Sequence, residues 1–258
     1  MALEKIKIKH SFADAVDTYD SVASLQRQIG YDLLATHALE QLHGVVLDLG
    51  CGTGFLTQQL VPYGDNITLI ALDLAQTMLL RCREKVGHQS HYLCADAEHL
   101  PLQMQCVDTI FSNVALQWCY PVDDALTELH RVLTDEGTVL FSTFGSDTLR
   151  ELKVAWARVD DFVHVNDFYT LERLHTALEN AGFVDITCKC TQYLRQYANV
   201  LELMHELKRI GAHNVNQTRS KALTSKKTLK TLISAYPKNE VGGVDATFDV
   251  IYVMARKA

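Results

Sequence analysis

Apolar and polar residues follow two different rhythms along most of this chain. Short runs rich in branched apolar residues have the length and composition of buried strands, and the stretches between them repeat apolar residues at helical spacing. The predicted strands are 45–49, 67–72, 91–94, 107–112, 138–143, 183–190 and 247–255. The predicted helices are 55–62, 75–86, 122–133, 147–159 and 171–181.

Strands that alternate with helices predict an α/β fold. We expect a Rossmann-like, seven-stranded, mostly parallel sheet with helices on both faces. Two helical segments fall outside this rhythm, one near the N-terminus and one before the last strand. We therefore predict a single domain over 1–258, which consists of an N-terminal helical cap (10–42), a sheet core (43–190 and 246–258) and a helical lid (191–245). Because ligands bind beyond the carboxyl ends of such strands, the lid could cover the site.

The composition is that of an ordinary globular protein, with 48% hydrophobic and 21% charged residues. No run approaches the roughly 18 consecutive apolar residues that a membrane span requires. The first ten residues, MALEKIKIKH, mix apolar and basic residues and do not predict a secretory signal. We therefore expect a cytoplasmic protein that does not contact a membrane.

The charge is distributed unevenly. Residues 207–239 hold eight of the 24 basic residues and none of the 31 acidic ones, although the net charge is -7. This asymmetry argues against a general nucleic-acid binder and indicates one local basic face. A solvated helix surface with no partner would have the same composition.

The first predicted strand runs into a glycine-rich turn, VVLDLGCGTG, with Asp48, Gly50, Gly52 and Gly54 at alternate positions. Glycine suits backbone with positive φ or close approach to a ligand, and a turn before a helix presents N–H groups to an anion or a polar group. The dinucleotide fingerprint G-x-G-x-x-G would need glycine at position 55, where the chain has Phe55.

Asp48 distinguishes further between nucleotides. A carboxylate at the end of the strand would repel a pyrophosphate, because two unit charges 4 Å apart interact by about 4 kcal/mol at an effective dielectric of 20. S-adenosylmethionine carries a sulfonium and an ammonium, which an acid attracts, while the N–H groups of the turn could receive its polar groups. The D-x-G-x-G-x-G pattern resembles motif I of the class I methyltransferases.

Two more acids follow the next two strands. Asp73, 23 residues after Gly50, has the spacing of an acid that binds ribose hydroxyls, and Leu74 follows it. Asp96, followed by Ala97, could accept a hydrogen bond from an adenine amino group. Either acid alone could be a surface residue, but acids at three consecutive strand ends converge on one sheet edge and predict an adenosine site.

Three polar residues are candidates for the methionine end of the cofactor. Asn113 directly follows the fourth strand, where a turn residue is an equally good interpretation. Tyr19 and Gln26 are seven residues apart and share one face of a predicted helix. That helix could be an ordinary core helix, or it could close over bound cofactor.

Five stretches together resemble one family. They are 12–28 (FADAVDTYDSVASLQRQ), 112–119 (SNVALQWC), 145–160 (GSDTLRELKVAWARVD), 207–216 (LKRIGAHNVN) and 247–256 (TFDVIYVMAR). The chain resembles, over nearly its whole length, the malonyl-acyl-carrier-protein O-methyltransferases of biotin synthesis, the BioC family. The pattern departs at 166–168, NDF, where an arginine before the aromatic residue is expected.

The resemblance implies methyl transfer from S-adenosylmethionine to the free carboxylate of a malonyl thioester on acyl-carrier protein, with S-adenosylhomocysteine as product and no metal. A carboxylate is ionised at neutral pH, so the reaction needs alignment and no general base. Tyr19, Gln117 and Trp118 are the candidates for positioning the acceptor, although Trp118 could be a packing anchor. Candidate cations for the malonyl carboxylate are Arg150, Lys208 and Arg209.

Acyl-carrier protein is acidic as a class, so the resemblance gives the basic segment 207–239 a role as its docking site. The sequence is also compatible with other functions. A class I methyltransferase of quinones or small acids, or a non-catalytic S-adenosylmethionine-binding protein, would share the glycine turn and its acids. A dinucleotide oxidoreductase fits less well because of Asp48 and Phe55.

Overall fold

A computed structural model of the chain describes residues 2–212 and 225–258, with side chains from residue 5 onward. The described strands are β1 (Gly44–Leu49), β2 (Ile67–Asp73), β3 (His91–Cys94), β4 (Val107–Asn113), β5 (Leu133–Phe144), β6 (Phe183–Tyr197) and β7 (Val244–Lys257). The described helices are α1 (Ala2–Val22), α2 (Ser24–Leu34), α3 (Phe55–Leu60), α4 (Gln76–Val86), α5 (Val122–Val132), α6 (Arg150–Trp156), α7 (Leu171–Asn180), α8 (Val200–Arg209) and α9 (Lys226–Ala235).

The strands form one seven-stranded sheet in the order β3-β2-β1-β4-β5-β7-β6. All neighbours are parallel except that β7 runs antiparallel to both β5 and β6. The predicted α/β class and mostly parallel sheet are therefore confirmed. The strand order reverses between β1 and β4, and such a reversal opens a crevice at the carboxyl ends of the strands.

Alternate residues of the central strands pack on opposite faces of the sheet. Val46 and Phe111 belong to the apolar core on one face, whereas Leu47 and Ile110 belong to the core on the other. All four are fully buried. Helices cover both faces, which explains why these strands read as continuous apolar runs with no polar alternation.

The N-terminal helix begins earlier than the sequence pattern predicts. Helix α1 starts at Ala2, ahead of the predicted residue 10, and its alternating segment around Ile8 is helical. Ile8 is buried, and Lys5 forms ion pairs with residues far along the chain. Tertiary contacts of this kind stabilise a helix whose own amphipathic pattern is weak.

Other element bounds also differ from the prediction, and three of them have a clear cause. β5 begins at Leu133, which the pattern placed in a helix, because Leu133 pairs with Val107 of β4. Helix α6 begins only at Arg150, after Leu149 adopts a left-handed φ of 57°. β6 continues to Tyr197, where the prediction ended it at residue 190, because it pairs with β7 along its length. The first residues of the predicted lid are therefore strand.

The lid helices contact the N-terminal helix and α6. Arg209, at the end of α8, donates to the Ser21 hydroxyl at 2.9 Å, and Arg158 donates to the Ala235 carbonyl at the end of α9 at 3.3 Å. Residues Arg219 and Lys221 of the basic segment lie outside the described residues. Across the described ranges, no helix is both long and apolar enough to cross a membrane.

Candidate functional site

The turn between β1 and α3 lies at the crevice where the strand order reverses. Gly50 and Gly52 have φ of +71° and +53°, in the left-handed region that favours glycine. A Cβ on Gly50 would lie 2.3 Å from the Cβ of Ala115, whereas a Cβ on Gly52 would meet nothing within 4 Å. Gly50 therefore lets the turn pack against the end of β4, and Gly52 leaves space open.

The N–H groups of this turn bond within the protein. Gly50 and Cys51 both donate to the carbonyl of Leu72, at 2.8 and 2.9 Å, and Gly54 donates to the carbonyl of Cys51 at 2.9 Å. The expectation that these N–H groups face a ligand is wrong, because the turn folds back onto the end of β2. What the turn offers to a ligand is space and the carboxylates around it.

Asp48 is buried, with only 1% of its surface exposed, at the end of β1. The Thr57 hydroxyl donates to its carboxylate at 2.6 Å. Burial raises the pKa of Asp48 to about 7, although hydrogen bonds from Thr57 oppose the shift. Asp48 is therefore not the fixed negative charge expected from the sequence, because its pKa lies near neutral pH.

Asp73 ends β2 and shapes the turn. Its carboxylate accepts from the N–H of Gly52 at 2.9 Å and from the N–H of Ala75 at 2.7 Å. Burial raises its pKa, against the effect of these backbone hydrogen bonds. Each carboxylate oxygen has a second lone pair, so Asp73 can hold the turn and still accept from two vicinal hydroxyls.

Asp96, after β3, is already engaged with a cation. The ammonium of Lys5 lies 2.5 Å from both of its oxygens and 2.5 Å from an oxygen of Glu98. No sequence pattern predicts this contact, because Lys5 precedes Asp96 by 91 residues. Asp96 therefore shares its carboxylate between an internal ion pair and any ligand.

Asn113 connects three elements. Its amide donates to the backbone carbonyl of Gln26 in α2 at 2.9 Å and accepts from the Ser142 hydroxyl of β5 at 2.8 Å. Gln26 takes part in this contact through its backbone carbonyl. Its side chain, which the sequence predicted at the site, is not part of the contact. Both residues lie at the crevice, held by packing between β4, β5 and α2.

Two adjoining cavities fill the crevice. The first, of about 110 Å³, is lined by Lys5, Ile8, Phe12, Tyr19, Leu49, Gly50, Gly52, Leu72, Asp73, Leu74, Met78, Ala95, Asp96, Ala97, Asn113, Val114, Ala115, Leu116, Trp118 and Cys119. The second, of about 330 Å³, is lined by Tyr19, Asp20, Ala23, Gln26, Arg27, Asp48, Gly50, Cys51, Gly52, Thr53, Phe55, Leu56, Gln58, Lys85 and Asn113. The cavities share Tyr19, Gly50, Gly52 and Asn113, so together they form one bent site around the glycine turn.

The structure brings most of the predicted residues together. The first cavity collects Asp73, Leu74, Asp96, Ala97 and Trp118, and the second collects Asp48 and Gln26. Five predicted residues line neither cavity: Gly54, Gln117, Arg150, Lys208 and Arg209.

Each of those five has another position. Gly54 begins α3, and a Cβ there would lie 2.6 Å from the Cys82 sulfur, so its role is close packing. The amide of Gln117 is bonded to the Val114 carbonyl and the Thr143 hydroxyl. Arg150 pairs with Glu151, and Lys208 and Arg209 are exposed in the last turn of α8.

Tyr19 and Trp118 stand on walls of the first cavity. Burial raises the pKa of Tyr19 far above its ordinary value, and the nearby carboxylates of Asp73 and Asp20 raise it further. Its hydroxyl therefore stays protonated and can donate. The Trp118 ring meets Phe12 of α1 edge to face, with centroids 5.3 Å apart.

Sequence reasoning missed several lining residues on the N-terminal helices, namely Lys5, Ile8, Phe12 and Arg27. A signal for Phe12 was present, since it precedes Tyr19 by the same seven residues that separate Tyr19 from Gln26. No local signal marks Lys5 or Arg27, because their places depend on how α1 and α2 cross the sheet edge. Among the described residues, no group of three or more His, Cys, Asp or Glu is placed to hold a metal ion.

Comparison with known proteins agrees with this geometry. Residues 47–141 match the family model described as a methyltransferase domain. The chain is 40% identical to malonyl-[acyl-carrier protein] O-methyltransferase of Methylococcus capsulatus, over 98% of this chain and 94% of that protein. It is 38% identical to the protein of the same name from Yersinia pestis, over 97% of this chain and 91% of that one.

A further relative is longer. The chain is 38% identical, over 99% of its length, to the biotin biosynthesis bifunctional protein BioHC of Cellvibrio japonicus, and it spans 51% of that protein. The chain thus spans about half of this bifunctional protein and more than nine tenths of the two malonyl-[acyl-carrier protein] O-methyltransferases.

Solved structures share the fold. The YcgJ protein of Bacillus subtilis superposes with a TM-score of 0.63 at 18% identity, covering 89% of this chain and 97% of that one. Phosphoethanolamine N-methyltransferase 2 of Haemonchus contortus, solved with S-adenosyl-L-methionine, gives 0.58 at 17% identity, over 95% of this chain and 57% of that one. On the strength of the full-length relatives, the chain belongs to the malonyl-[acyl-carrier protein] O-methyltransferase family of S-adenosylmethionine-dependent methyltransferases.

Proposed function

We propose that this protein transfers a methyl group from S-adenosylmethionine to the free carboxylate of a malonyl thioester carried by acyl-carrier protein. The product is the malonyl methyl ester that starts pimeloyl synthesis for biotin. The observation that carries the proposal is the pair of cavities joined at Tyr19, in a chain that matches single-function members of the family from end to end.

The residues of the two cavities fit this cofactor. In the first cavity, Asp73 and Asp96 provide acceptors for ribose hydroxyls and an amino group, and Leu74 and Met78 provide apolar surface for a base. Gly52 leaves the space between the cavities open, where a Cβ would stand. These features match an adenosine held along the ends of β2 and β3.

The second cavity fits an amino-acid end. Arg27 and Lys85 line it and can meet a carboxylate, while Asp48 and the carbonyls of the turn can meet an ammonium. Lys85 is partly committed, since it lies 2.6 Å from Asp20. Arg27 donates to the Asp20 carbonyl at 2.8 Å, but a guanidinium has five N–H donors. Because its other donors remain for a ligand, Arg27 is the residue that we assign to the cofactor carboxylate.

When bound, S-adenosylmethionine supplies a methyl group activated by a positively charged sulfur. The protein has to hold a carboxylate oxygen in line with that methyl group and exclude water, which can contribute several kcal/mol, up to roughly 7 to 11 in the best intramolecular cases. A malonyl carboxylate is already ionised at neutral pH, so no side chain has to remove a proton.

Tyr19 is the residue that we assign to the acceptor carboxylate. It lines both cavities, so it lies where the adenosine and methionine ends meet. Its raised pKa keeps the hydroxyl protonated and able to donate to an anion. Trp118 and Phe12 form the aromatic wall on the same side, and Gln117 supports that wall through its bonds to Val114 and Thr143.

The acyl-carrier protein would dock on the basic segment 207–239. Lys226, Lys227 and Lys230 on α9 are exposed, and no acidic residue of the segment offsets them. The start of this segment reaches the cavity wall, since Gly211, two residues after α8, packs against Ser11 and Phe12 of α1. An acidic partner docked here would deliver its phosphopantetheine arm toward Phe12 and Trp118.

The direct test is chemical. Purified protein is incubated with methyl-labelled S-adenosylmethionine and malonyl-acyl-carrier protein, and the carrier is examined for a base-labile methyl ester. We expect label on the malonyl group and none on acetyl-acyl-carrier protein, which lacks the free carboxylate. Label on free small acids or quinones, with none on the carrier-bound thioester, would contradict the proposal and favour the alternative acceptor classes. Cofactor binding without any transfer would indicate a binding protein.

A further inference from the structure

Helix α1 crosses the whole site from end to end. Its residues Ile8, Phe12 and Tyr19 line the first cavity, and Tyr19 and Asp20 line the second. From Lys5 to Asp20 the helix spans about 22 Å, at 1.5 Å per residue. A cofactor that fills both cavities would therefore lie against α1 over much of the length of that helix.

Polar contacts hold α1 at both ends. At its C-terminal end, Asp20 accepts from the Thr53 hydroxyl of the glycine turn at 2.6 Å and from Lys85 of α4 at 2.6 Å. At its N-terminal end, Lys5 contacts Asp96 and Glu98. The C-terminal contact is half exposed at Asp20, whereas the N-terminal one is largely shielded from water.

Lys5, Asp96 and Glu98 form a cluster of charged side chains that is largely shielded from water, and we call it the Lys5 cluster. Lys5 and Glu98 retain only 19% and 5% of their side-chain exposure, and Asp96 retains 26%. Burial lowers the pKa of Lys5, but the hydrogen bonds and charges of Asp96 and Glu98 outweigh it, so the pKa is raised and the ammonium persists. One ammonium therefore serves the carboxyl groups of both Asp96 and Glu98.

One oxygen of the cluster still lacks a partner. The Oε1 atom of Glu98 is buried and accepts no hydrogen bond from any described residue. Asp96 and Lys5 both line the first cavity, next to Ala97 and Leu74. Asp96 thus presents a carboxyl group to the part of the first cavity where a donor group of the ligand is expected. Lys5, its partner, belongs to α1, which also lines that part.

We infer that Lys5 is a cofactor-positioning residue, which holds the first turns of α1 over the adenine end of the site and thereby controls release of the cofactor. The inference rests on the proposed function, since it takes the cofactor of that reaction as the ligand. Lys5 acts through Asp96 and Glu98 and does not touch the reacting atoms. Opening of its ion pairs exposes the adenine end, and closing them adds a wall to the cavity.

The experiment measures binding of S-adenosylhomocysteine, the product form of the cofactor, so that turnover is not needed. Calorimetry gives the dissociation constant and stopped-flow fluorescence gives the dissociation rate, for the wild type and for Lys5→Met. We expect Lys5→Met to bind about 10-fold to 100-fold more weakly, as for the loss of a charged hydrogen bond, with most of the change in the dissociation rate.

Three further variants separate positioning from general damage. Lys9→Met changes an exposed lysine of the same helix and is expected to bind like the wild type. Lys5→Arg keeps the cation and is expected to restore binding to within about threefold of the wild type. In a Glu98→Gln background, the loss caused by Lys5→Met is expected to be smaller, because the two residues act as one unit.

Hydrogen exchange gives a readout that does not depend on affinity. Bound S-adenosylhomocysteine is expected to protect the amides of the first turns of α1 in the wild type and not in Lys5→Met. If Lys5→Met binds within twofold of the wild type, or loses no more than Lys9→Met, the inference is overturned. If the wild type itself does not bind S-adenosylhomocysteine, the proposed function fails and this inference fails with it.

Discussion

The hydroxyl of Thr57 donates a 2.6 Å hydrogen bond to the carboxylate of Asp48, and both side chains are buried at the end of the central strand. This bond supplies one donor to a carboxylate that burial has removed from water. It does not compensate fully, since burial still raises the pKa of Asp48 to about 7. Asp48, the residue that begins the glycine motif, therefore reduces the stability of the fold when it is ionised.

Replacement of Asp48 by asparagine should stabilise the fold in a pH-dependent way. The folded state retains a proton that the unfolded chain loses near pH 4, so the free energy of unfolding of the wild type falls between about pH 4 and pH 7. Asp48→Asn removes this fall, with a gain on the order of 4 kcal/mol at most at pH 7.5 and little gain near pH 4.

Urea denaturation of the wild type and Asp48→Asn at pH 4.5, 6.0 and 7.5 measures this effect. Asp65→Asn serves as the control, because Asp65 is exposed and its removal should give no pH-dependent difference. An Asp48→Asn gain that is the same at all three pH values would show that the Asp48 carboxyl titrates elsewhere.

Whereas the stability of the wild type falls as the pH rises, its affinity for S-adenosylmethionine should increase. Ionised Asp48 lines the second cavity and attracts positive charge, so binding should strengthen as the pH rises from 6.0 to 7.5. Asp48→Asn should bind at least about tenfold more weakly at pH 7.5 and show a flat profile over this range. Calorimetry at each pH tests this, and an unchanged slope in the variant would contradict it.

Alanine at Gly50 and at Gly52 should separate packing from ligand space. Gly50→Ala brings a Cβ to 2.3 Å from the Cβ of Ala115, at positive φ, so we expect a loss of stability of about 2 to 4 kcal/mol. Gly52→Ala meets no protein atom within 4 Å, so its stability cost should be only about 1 to 2 kcal/mol, while its methyl group occupies the space between the cavities.

Thermal unfolding and S-adenosylhomocysteine binding, measured on both variants, test this difference. Gly52→Ala should lose affinity by a larger factor than its small drop in Tm suggests. Ala115→Gly should partly rescue the stability of Gly50→Ala, because it removes the atom that clashes. Equal stability losses for the two glycine variants would contradict the interpretation.

Arg209 is expected to bind the malonyl carboxylate, and Arg150 is not. Arg209 lines neither cavity, but it is held on α1, the helix that carries Tyr19. It donates to the Ser21 hydroxyl, and its own carbonyl accepts from the Thr18 hydroxyl at 2.9 Å. Arg150 pairs with its neighbour Glu151, and both lie on α6. Arg209→Met should raise KM for malonyl-acyl-carrier protein about tenfold, whereas Arg150→Met should leave it within twofold.

The same Arg209 variant should bind S-adenosylhomocysteine normally, which separates an acceptor role from damage to α1. Steady-state kinetics at fixed saturating cofactor provide the measurement. If both arginine variants leave KM unchanged, the cation for the carboxylate lies elsewhere in the chain.

Reversal of charge at Lys226, Lys227 and Lys230 should impair docking of the carrier. All three are exposed on α9, and an acidic partner would be steered by their field. We expect kcat/KM for malonyl-acyl-carrier protein to fall about 10-fold to 100-fold at low salt, and the difference from wild type to shrink as salt is added.

Two controls accompany this variant. Malonyl-pantetheine lacks the acidic protein, so its turnover should not change. Reversal at Arg83 and Lys189, which are exposed on α4 and β6, should have little effect on the carrier-bound substrate. Equal losses on both substrates would indicate a damaged lid, and no loss on the carrier would contradict docking on α9.

Local sequence was enough to predict the sheet and the turn. Strands such as β1 and β3 and helices such as α4 have patterns whose period depends only on nearby residues, and the predicted bounds agree with the structure to within a residue. The alternate glycines and the acids at the strand ends could also be predicted to share one site, because parallel strands bring their carboxyl ends to one edge of the sheet. These features follow from backbone geometry and the hydrophobic pattern.

Only the tertiary structure decided how those residues are used. The pairing of Lys5 with Asp96, the burial of Asp48 and the use of the turn amides by Leu72 join segments with no fixed sequence spacing. Their protonation and hydrogen bonding depend on how much water the surrounding elements exclude, which a linear pattern does not encode. The sequence by itself determined which residues meet at the sheet edge, and packing determined which are free to bind and which are already bonded.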